Sequence, residues 1–196
     1  MERTRHPDMT PPAPGDLELV RSFLSLHDHQ GDLDTSFPPS AQSLRSFLVE
    51  RGLLDPAERV TEAELASALR VREALHHMVA LRGEGKDAAG DDVREIERAA
   101  SEAALRLRFG GDRPRLEPAE RGVKGAIGRV LAVAFLARID GSWNGLKVCA
   151  NETCTAVFFD RSKNHSGRWC SMQSCGNRNK VRAWRERHRT ADGASA

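Results

Sequence analysis

The stretch VCANETCTAVFFDRSKNHSGRWCSMQSCGNR, from Val148 to Arg178, decides how the second half of this chain folds. It contains every cysteine of the 196-residue sequence, in a C-x4-C-x15-C-x4-C arrangement within 27 residues: Cys149, Cys154, Cys170 and Cys175. Two short-range pairs joined by a modest loop can supply four tetrahedral zinc ligands at little cost in chain entropy. Disulfides and free or redox-active thiols are the alternatives that this spacing leaves open. We favour one structural zinc ion.

A four-cysteine site is closed, so its metal has no open position for a substrate and would act in folding. A segment this short buries little apolar surface, and metal binding supplies about 10–16 kcal/mol in comparable fingers. The pattern predicts two short strands, over 146–149 and 156–160, and a helix that starts near Ser174. The side chains expected to support the metal are Val148, Val157, Phe158, Phe159 and Trp169.

The near-neutral charge of the chain, formally +2, hides a separation into two parts. Residues 161–189 hold nine Lys/Arg and one acidic residue, which gives +8, and the remaining residues sum to −6. A mildly acidic body that carries a short basic end is typical of a polyanion-binding module attached to another domain. The basic segment coincides with the cysteine cluster, so we expect the two features to act together.

On a helix over 176–189, four arginines lie within about 60° of each other and span about 16 Å. Arginine can bind a phosphate, or guanine O6 and N7, through two hydrogen bonds. We expect Arg178 and Arg182 in a groove of the nucleic acid, and Lys180 and Arg187 in contact with its backbone or with solvent. Val181 and Trp184 form an adjoining apolar edge that can pack on the zinc core. A solvated cationic helix and an acidic protein partner are the alternatives. The predicted nucleic-acid contacts are Arg168, Arg178, Lys180, Arg182, Arg185 and Arg189.

The rest of the sequence predicts a mainly α N-terminal domain with a small β-hairpin. Four prolines within residues 1–15 indicate a disordered arm. Apolar periodicity predicts helices that start at Asp16, at a Ser40 cap, at a Thr61–Glu64 capping box and near residues 91 and 118. Alternation over 105–116 predicts the hairpin. The predicted organisation is thus an arm (1–15), a helical domain (16–145), a zinc finger (146–189) and a disordered tail (190–196).

Several function classes are not supported by the sequence. It has no P-loop, no G-x-G-x-x-G and no G-x-S-x-G motif, so we expect no enzyme. His76 and His77 are adjacent on a predicted helix and point to different faces, which does not favour a metal or haem site there. No apolar run approaches the roughly 20 residues of a membrane span, and no secretory signal is recognisable, so we expect a cytoplasmic protein without a membrane partner.

The segment Cys170–Arg178, with Cys175-Gly176-Asn177-Arg178 at its end, resembles the CGNR zinc finger. In that family the finger ends bacterial proteins whose longer N-terminal part is the ABATE domain, which is associated with stress-induced transcription regulation. The resemblance is specific over 146–185 and more diffuse over 16–145, where it rests on helix order and on LRVREAL (Leu69–Leu75). It implies that the four cysteines bind zinc and that the finger binds DNA.

These observations together predict a DNA-binding transcription regulator. The finger would present its arginine helix to DNA, and the N-terminal domain would sense an unknown effector or form a homodimer. RNA binding by the same module is the runner-up, with Trp169 or a Phe available for base stacking. A protein-interaction adaptor with purely structural zinc is the third possibility.

Overall fold

The computed structural model describes residues 10–26, 28–29, 36–37, 39–83, 85–86, 88, 90–111, 114–151 and 154–192. For 28–29, 36–37, 183, 186–187 and 189–192 only the backbone is described. The helices within these residues are α1 (Leu17–Leu24), α2 (Ala41–Glu50), α3 (Glu62–Gly83), α4 (Asp91–Glu102), α5 (Gly122–Asp140) and α6 (Asn177–Asp192). The described helices include none with the length and apolar character of a membrane span.

The described residues also form three antiparallel strand pairs. β1 (Asp28–His29) pairs with β2 (Ser36–Phe37), β3 (Leu105–Arg108) with β4 (Arg115–Pro118), and β5 (Leu146–Val148) with β6 (Val157–Phe159). A 3₁₀ turn over Ser142–Gly145 joins α5 to β5, and a π-helical turn over Met172–Gly176 leads into α6. The prediction of a mainly α domain with a small hairpin, followed by a two-strand finger and a basic helix, is confirmed.

Two helices begin at side-chain caps that the sequence predicts. The Ser40 hydroxyl accepts a hydrogen bond from the Ser43 amide at 3.2 Å, and the Ser43 hydroxyl accepts one from the Ser40 amide at 2.9 Å. Thr61 and Glu64 form the same reciprocal box before α3. Each box satisfies backbone amides that have no partner inside the helix, which is why the chain enters α2 and α3 at these points.

The core lies where α1, α3 and α5 pack together, with α2 and α4 added at its sides. The apolar positions predicted for α1 and α2 are buried, and α5 buries most of its own. The apolar pattern that predicts this last long helix also includes Leu136, but Leu136 is 44% exposed and does not join the core. The largest fully buried side chains of the helices are Phe23, Leu24, Leu44, Leu48, Val20, Val71, Val79 and Val130.

The β3–β4 hairpin packs tightly against α5 at a glycine. A Cβ atom at Gly128 would lie 2.5 Å from the Cβ of Ala103 and 2.9 Å from the Cβ of Pro118. Such separations are far inside van der Waals contact, so only glycine permits this approach. The glycines of this helix lower its intrinsic propensity, and the expectation that they mark close packing is confirmed at this position.

The β5–β6 hairpin belongs to the same core as the helices. Leu146 and Val157 are fully buried within the main apolar cluster, and Trp143, in the turn before β5, is 2% exposed. β5 packs on α3 and β6 packs on α1. The first two strands of the finger therefore complete the apolar core of the preceding helical domain.

The ordered part of the chain extends beyond the predicted limits at both ends. Residues 10–15 were expected in the disordered arm, but Thr10 and Ala13 are buried, and the Ala13 amide donates to Glu18 Oε2 at 2.6 Å. Arg161 also donates to the carbonyl of Pro12 at 2.6 Å. At the other end α6 continues to Asp192, past the predicted limit at 189. Residues 1–9 and 193–196 lie outside the described part of the chain.

Candidate metal centre and nucleic-acid interface

The four cysteines are placed by two turns of the finger. Cys149 directly follows β5 and its amide donates to the carbonyl of Ala156 at 3.0 Å, which continues the β5–β6 ladder. The Cys154 amide donates to the Asn151 carbonyl at 2.8 Å and so closes the first turn. Cys170 precedes the π-helical turn and Cys175 lies within it. The two turns are tied together because the Ala150 amide donates to the Arg168 carbonyl at 2.8 Å.

The sulfur positions fit a tetrahedral zinc ion. All four Sγ atoms lie within 4.8 Å of one another. The Cys154–Cys170 distance is 3.8 Å and the Cys170–Cys175 distance is 3.5 Å. A Zn–S bond of about 2.3 Å in a tetrahedron separates sulfurs by about 3.8 Å, whereas a disulfide would require about 2.05 Å. The four cysteines are free thiols gathered around one point, and they are positioned to hold one structural zinc ion.

The thiols of the cluster shift one another's pKa values through the hydrogen bonds that they share. Hydrogen bonds lower the pKa of Cys149 to about 2, and the bond from Cys154 has a larger effect than the bond from Cys170. The bond to Cys149 raises the pKa of Cys154 to about 12, and the bonds to Cys149 and then Cys154 raise the pKa of Cys170 strongly. The sulfur cluster by itself thus favours a single thiolate. A divalent cation at its centre would compensate the repulsion that keeps the other thiols protonated.

Asn151 supports the metal centre, and sequence reasoning missed it. Its side chain is buried, and Nδ2 donates to Cys175 Sγ at 3.6 Å. A hydrogen bond to a ligand sulfur orients the ligand and stabilises its thiolate form. The available signal was a polar side chain inside the first cysteine pair, in a segment where few polar groups can remain unpaired.

The loop over residues 161–167 is held by a second group that sequence reasoning missed, the carboxylate of Asp160. It accepts hydrogen bonds from Lys147 Nζ, the Gly167 amide and the Ser162 amide at 2.8, 2.8 and 2.9 Å. Burial raises the pKa of Asp160, but the Lys147 ammonium and these amides outweigh it and leave the pKa well below its ordinary value. The bonds to this carboxylate fix the path of the chain from the end of β6 to Arg168 and Cys170.

The predicted nucleic-acid contacts are solvent-accessible where the structure describes them. Arg178, Lys180, Arg182 and Arg185 are exposed along α6, which starts two residues after Cys175. Arg168 is also exposed, with its guanidinium carbon 5.3 Å from the centroid of the Trp169 ring. The side chains of Arg187 and Arg189 lie outside the described part of the structure. Their contacts with nucleic acid remain predictions, as do those of the four exposed residues on α6.

The apolar edge of α6 differs from the prediction. Val181 and Trp184 were expected to pack on the zinc core, but they are 48% and 54% exposed. The core of the finger is instead formed by residues of β6 and of the second cysteine turn. A Cβ at Gly176 would lie 2.9 Å from Met172 Sδ and 3.5 Å from Trp169 Cδ1, so these two side chains occupy the space beside the turn.

Side chains of the helical domain hold the first half of the finger. The Ser25 hydroxyl donates to the carbonyl of Val157 and accepts from its amide, both at 3.0 Å. His76 Nε2 lies 3.0 Å from the Thr155 carbonyl, one residue after Cys154. Burial lowers the pKa of His76 and the bond to Thr155 opposes this effect. Arg82 donates to the carbonyls of Asn144 and Leu146. The metal centre is thereby fixed to α1 and α3 rather than carried on a free linker.

Comparisons with known proteins agree with this architecture. The family model of the CGNR zinc finger matches residues 146–188. The ABATE model, which carries the description "Putative stress-induced transcription regulator", matches residues 17–139, more than half of the chain. No curated protein gives a significant match. The resemblance predicted from the cysteine segment is confirmed, and the chain belongs to the family of ABATE-domain proteins that end in a CGNR zinc finger.

Proposed function

We propose that this protein is a DNA-binding transcription regulator of the cytoplasm, in which a structural zinc ion holds α6 so that its arginines contact DNA phosphates. The proposal rests on one observation: α6 leaves the cysteine cluster directly and exposes Arg178, Arg182 and Arg185. A helix of 16 residues is about 24 Å long, enough to meet several phosphates. The family description supports a regulatory role.

The helical domain would act on the finger through the β5–β6 hairpin. Because Ser25 and His76 bind backbone atoms of that hairpin, a change in α1 or α3 would shift the metal centre and α6 with it. Effector binding or homodimerisation by this domain would thus change how α6 is presented. This role needs no catalytic step, and we propose that the protein is not an enzyme.

A salt titration tests the proposal with full-length, zinc-loaded protein and a fluorescent DNA. With four to six phosphate contacts, log K against log salt should have a slope of roughly −4 to −5. Arg182→Ala should reduce the slope by about 1 and weaken binding to every sequence similarly. Arg106→Ala removes an exposed arginine from β3, outside the finger, and should leave the slope unchanged. A slope near zero would contradict the electrostatic argument.

The nature of the polymer is tested by material that co-purifies at low salt. Loss of this material on DNase treatment supports the proposal. Loss on RNase treatment instead identifies the runner-up, an RNA-binding protein. Protein that carries no nucleic acid at low salt, and that binds none in the titration, would favour the adaptor.

A further inference from the structure

Trp184 and His188 form an exposed aromatic pair on α6. Their ring centroids lie 4.1 Å apart with an interplanar angle of 30°. His188 Nδ1 lies 2.8 Å from the carbonyl of Trp184, so the ring nitrogen is the donor and the imidazole is held against the indole. Trp184 is nevertheless 54% exposed. The indole is therefore supported on one side and available to solvent elsewhere.

The exposure of this indole is unusual within the chain. Trp143 is almost fully buried, and Trp169 is half-buried beside the second cysteine turn. On this regular helix the indole of Trp184 presents about half of its surface to solvent and thus offers a flat aromatic face for a contact. On the helix, Val181, Trp184 and His188 lie within about 60° of each other, next to the arginine stripe.

The positive charge of α6 indicates which kind of partner binds the surface formed by Trp184, His188 and the neighbouring arginines. Residues 177–192 contain six Lys/Arg and two acidic residues. Packing of two copies of α6 against each other would be opposed by repulsion between their positive charges. A nucleic acid combines negative charge with flat aromatic faces, so it complements both the arginines and the exposed indole. Within a duplex the base faces are covered by neighbouring base pairs and only edges are accessible, whereas a single strand offers its base faces for stacking.

We propose that α6 binds single-stranded DNA, with a base stacked on Trp184 and phosphates held by the adjacent arginines. This inference rests on the proposed DNA binding and specifies the form of DNA. His188 is a positioning residue, because it holds the indole in one orientation. Stacking is sequence-tolerant, since every base has a π-face. The finger would accordingly favour an unpaired stretch over the same sequence in a duplex.

The test compares a labelled single-stranded oligodeoxynucleotide with its duplex and with the matching RNA, on full-length zinc-loaded protein. Trp184→Ala should weaken single-strand binding by roughly 5- to 150-fold, the range of one base–aromatic stack, and leave the salt slope unchanged. Trp184→Phe should retain most of the affinity and lose the quenching of indole fluorescence caused by the bound strand. Ile139→Ala removes an exposed apolar side chain from α5, outside the finger, and is the control, with an expected change in binding of less than about twofold. Zinc content and circular dichroism verify the fold of each variant.

Two kinds of result would overturn the inference while the proposed function stands. The first is DNA binding with a steep salt slope that Trp184→Ala leaves unchanged. The second is a duplex that binds as tightly as the single strand. Tighter binding of the RNA strand would overturn the choice of DNA in both proposals. Failure of all three polymers to bind would overturn the proposed function itself, together with this inference.

Discussion

At the scale of single residues, the metal centre depends on more than its four ligands. The Asn151 amide donates to Cys175 Sγ from a buried position, and the two cysteine turns are joined by the bond between Ala150 and Arg168. A thiolate that accepts a hydrogen bond is easier to form and to orient. Loss of the hydrogen bond from Asn151 to Cys175 should therefore lower the affinity for zinc more than it lowers the stability of the fold.

We expect Asn151→Ala to lower zinc affinity by about 10- to 100-fold, because hydrogen-bonded supports of metal ligands carry effects of this size. Competition with a chromophoric chelator measures the change. Asn164→Ala removes an exposed amide from the loop of the same finger and serves as the control, with an expected change below about twofold. Equal affinity of the Asn151 variant and the unmodified protein would show that the bond to Cys175 does not stabilise the site.

At the scale of elements, the β5–β6 hairpin is the connection between finger and body. Its residue Val157 is fully buried, and both of its backbone polar groups are satisfied by the hydroxyl of Ser25, the residue that follows α1. Arg21 also donates to the Val157 carbonyl at 3.4 Å while forming a bidentate pair with Glu18. Because both the backbone and the side chain of Val157 are held, β6 has a fixed position relative to α1.

We expect Ser25→Ala to destabilise the protein by about 1–3 kcal/mol, because it leaves a buried amide without its partner. Urea denaturation followed by circular dichroism gives the free energy of unfolding. Ser22→Ala is the matched control: Ser22 lies on α1, and its hydroxyl donates to the Glu18 and Leu19 carbonyls of the same helix. Its expected change is within about 0.5 kcal/mol. A similar small change for Ser25→Ala would mean that the hairpin is held by apolar packing alone.

At the scale of the whole molecule, the shared core makes finger and body interdependent. Leu146 and Val157 belong to the same apolar cluster as the helices, and they flank the first cysteine pair in sequence. A metal that binds the folded finger stabilises the hairpin, and the hairpin in turn covers α1 and α3. The free energy of zinc binding is thus linked to the stability of the helical domain.

We expect zinc release and loss of helical signal to coincide in one urea transition. A chromophoric chelator at low concentration reports the first and far-UV circular dichroism, dominated by the helices of the body, reports the second. Cys170→Ser should lower the midpoint seen by circular dichroism, although it alters no residue of α1 or α3. Zinc release at a urea concentration that leaves the helical signal intact would show that the two parts unfold separately.

Local features were within reach of the sequence. The caps at Ser40 and Thr61 and the gathering of the four cysteines involve residues close along the chain or matched by chemistry, so periodicity and spacing predicted them. The tertiary structure decided the rest. Leu136 and Trp184 are apolar residues of helical segments, yet they are 44% and 54% exposed.

The attachment of the finger shows the physical reason for this division. Ser25 and Val157 are 132 positions apart, and nothing in either local sequence indicates that a hydroxyl at the end of α1 will satisfy the backbone of a residue in β6. The sequence by itself determined which segments form helices, hairpins and a metal site, because those depend on short-range geometry and ligand chemistry. Only the packed core determined that finger and helices form one body, because the burial of Leu146 and Val157 requires surfaces that several distant segments build together.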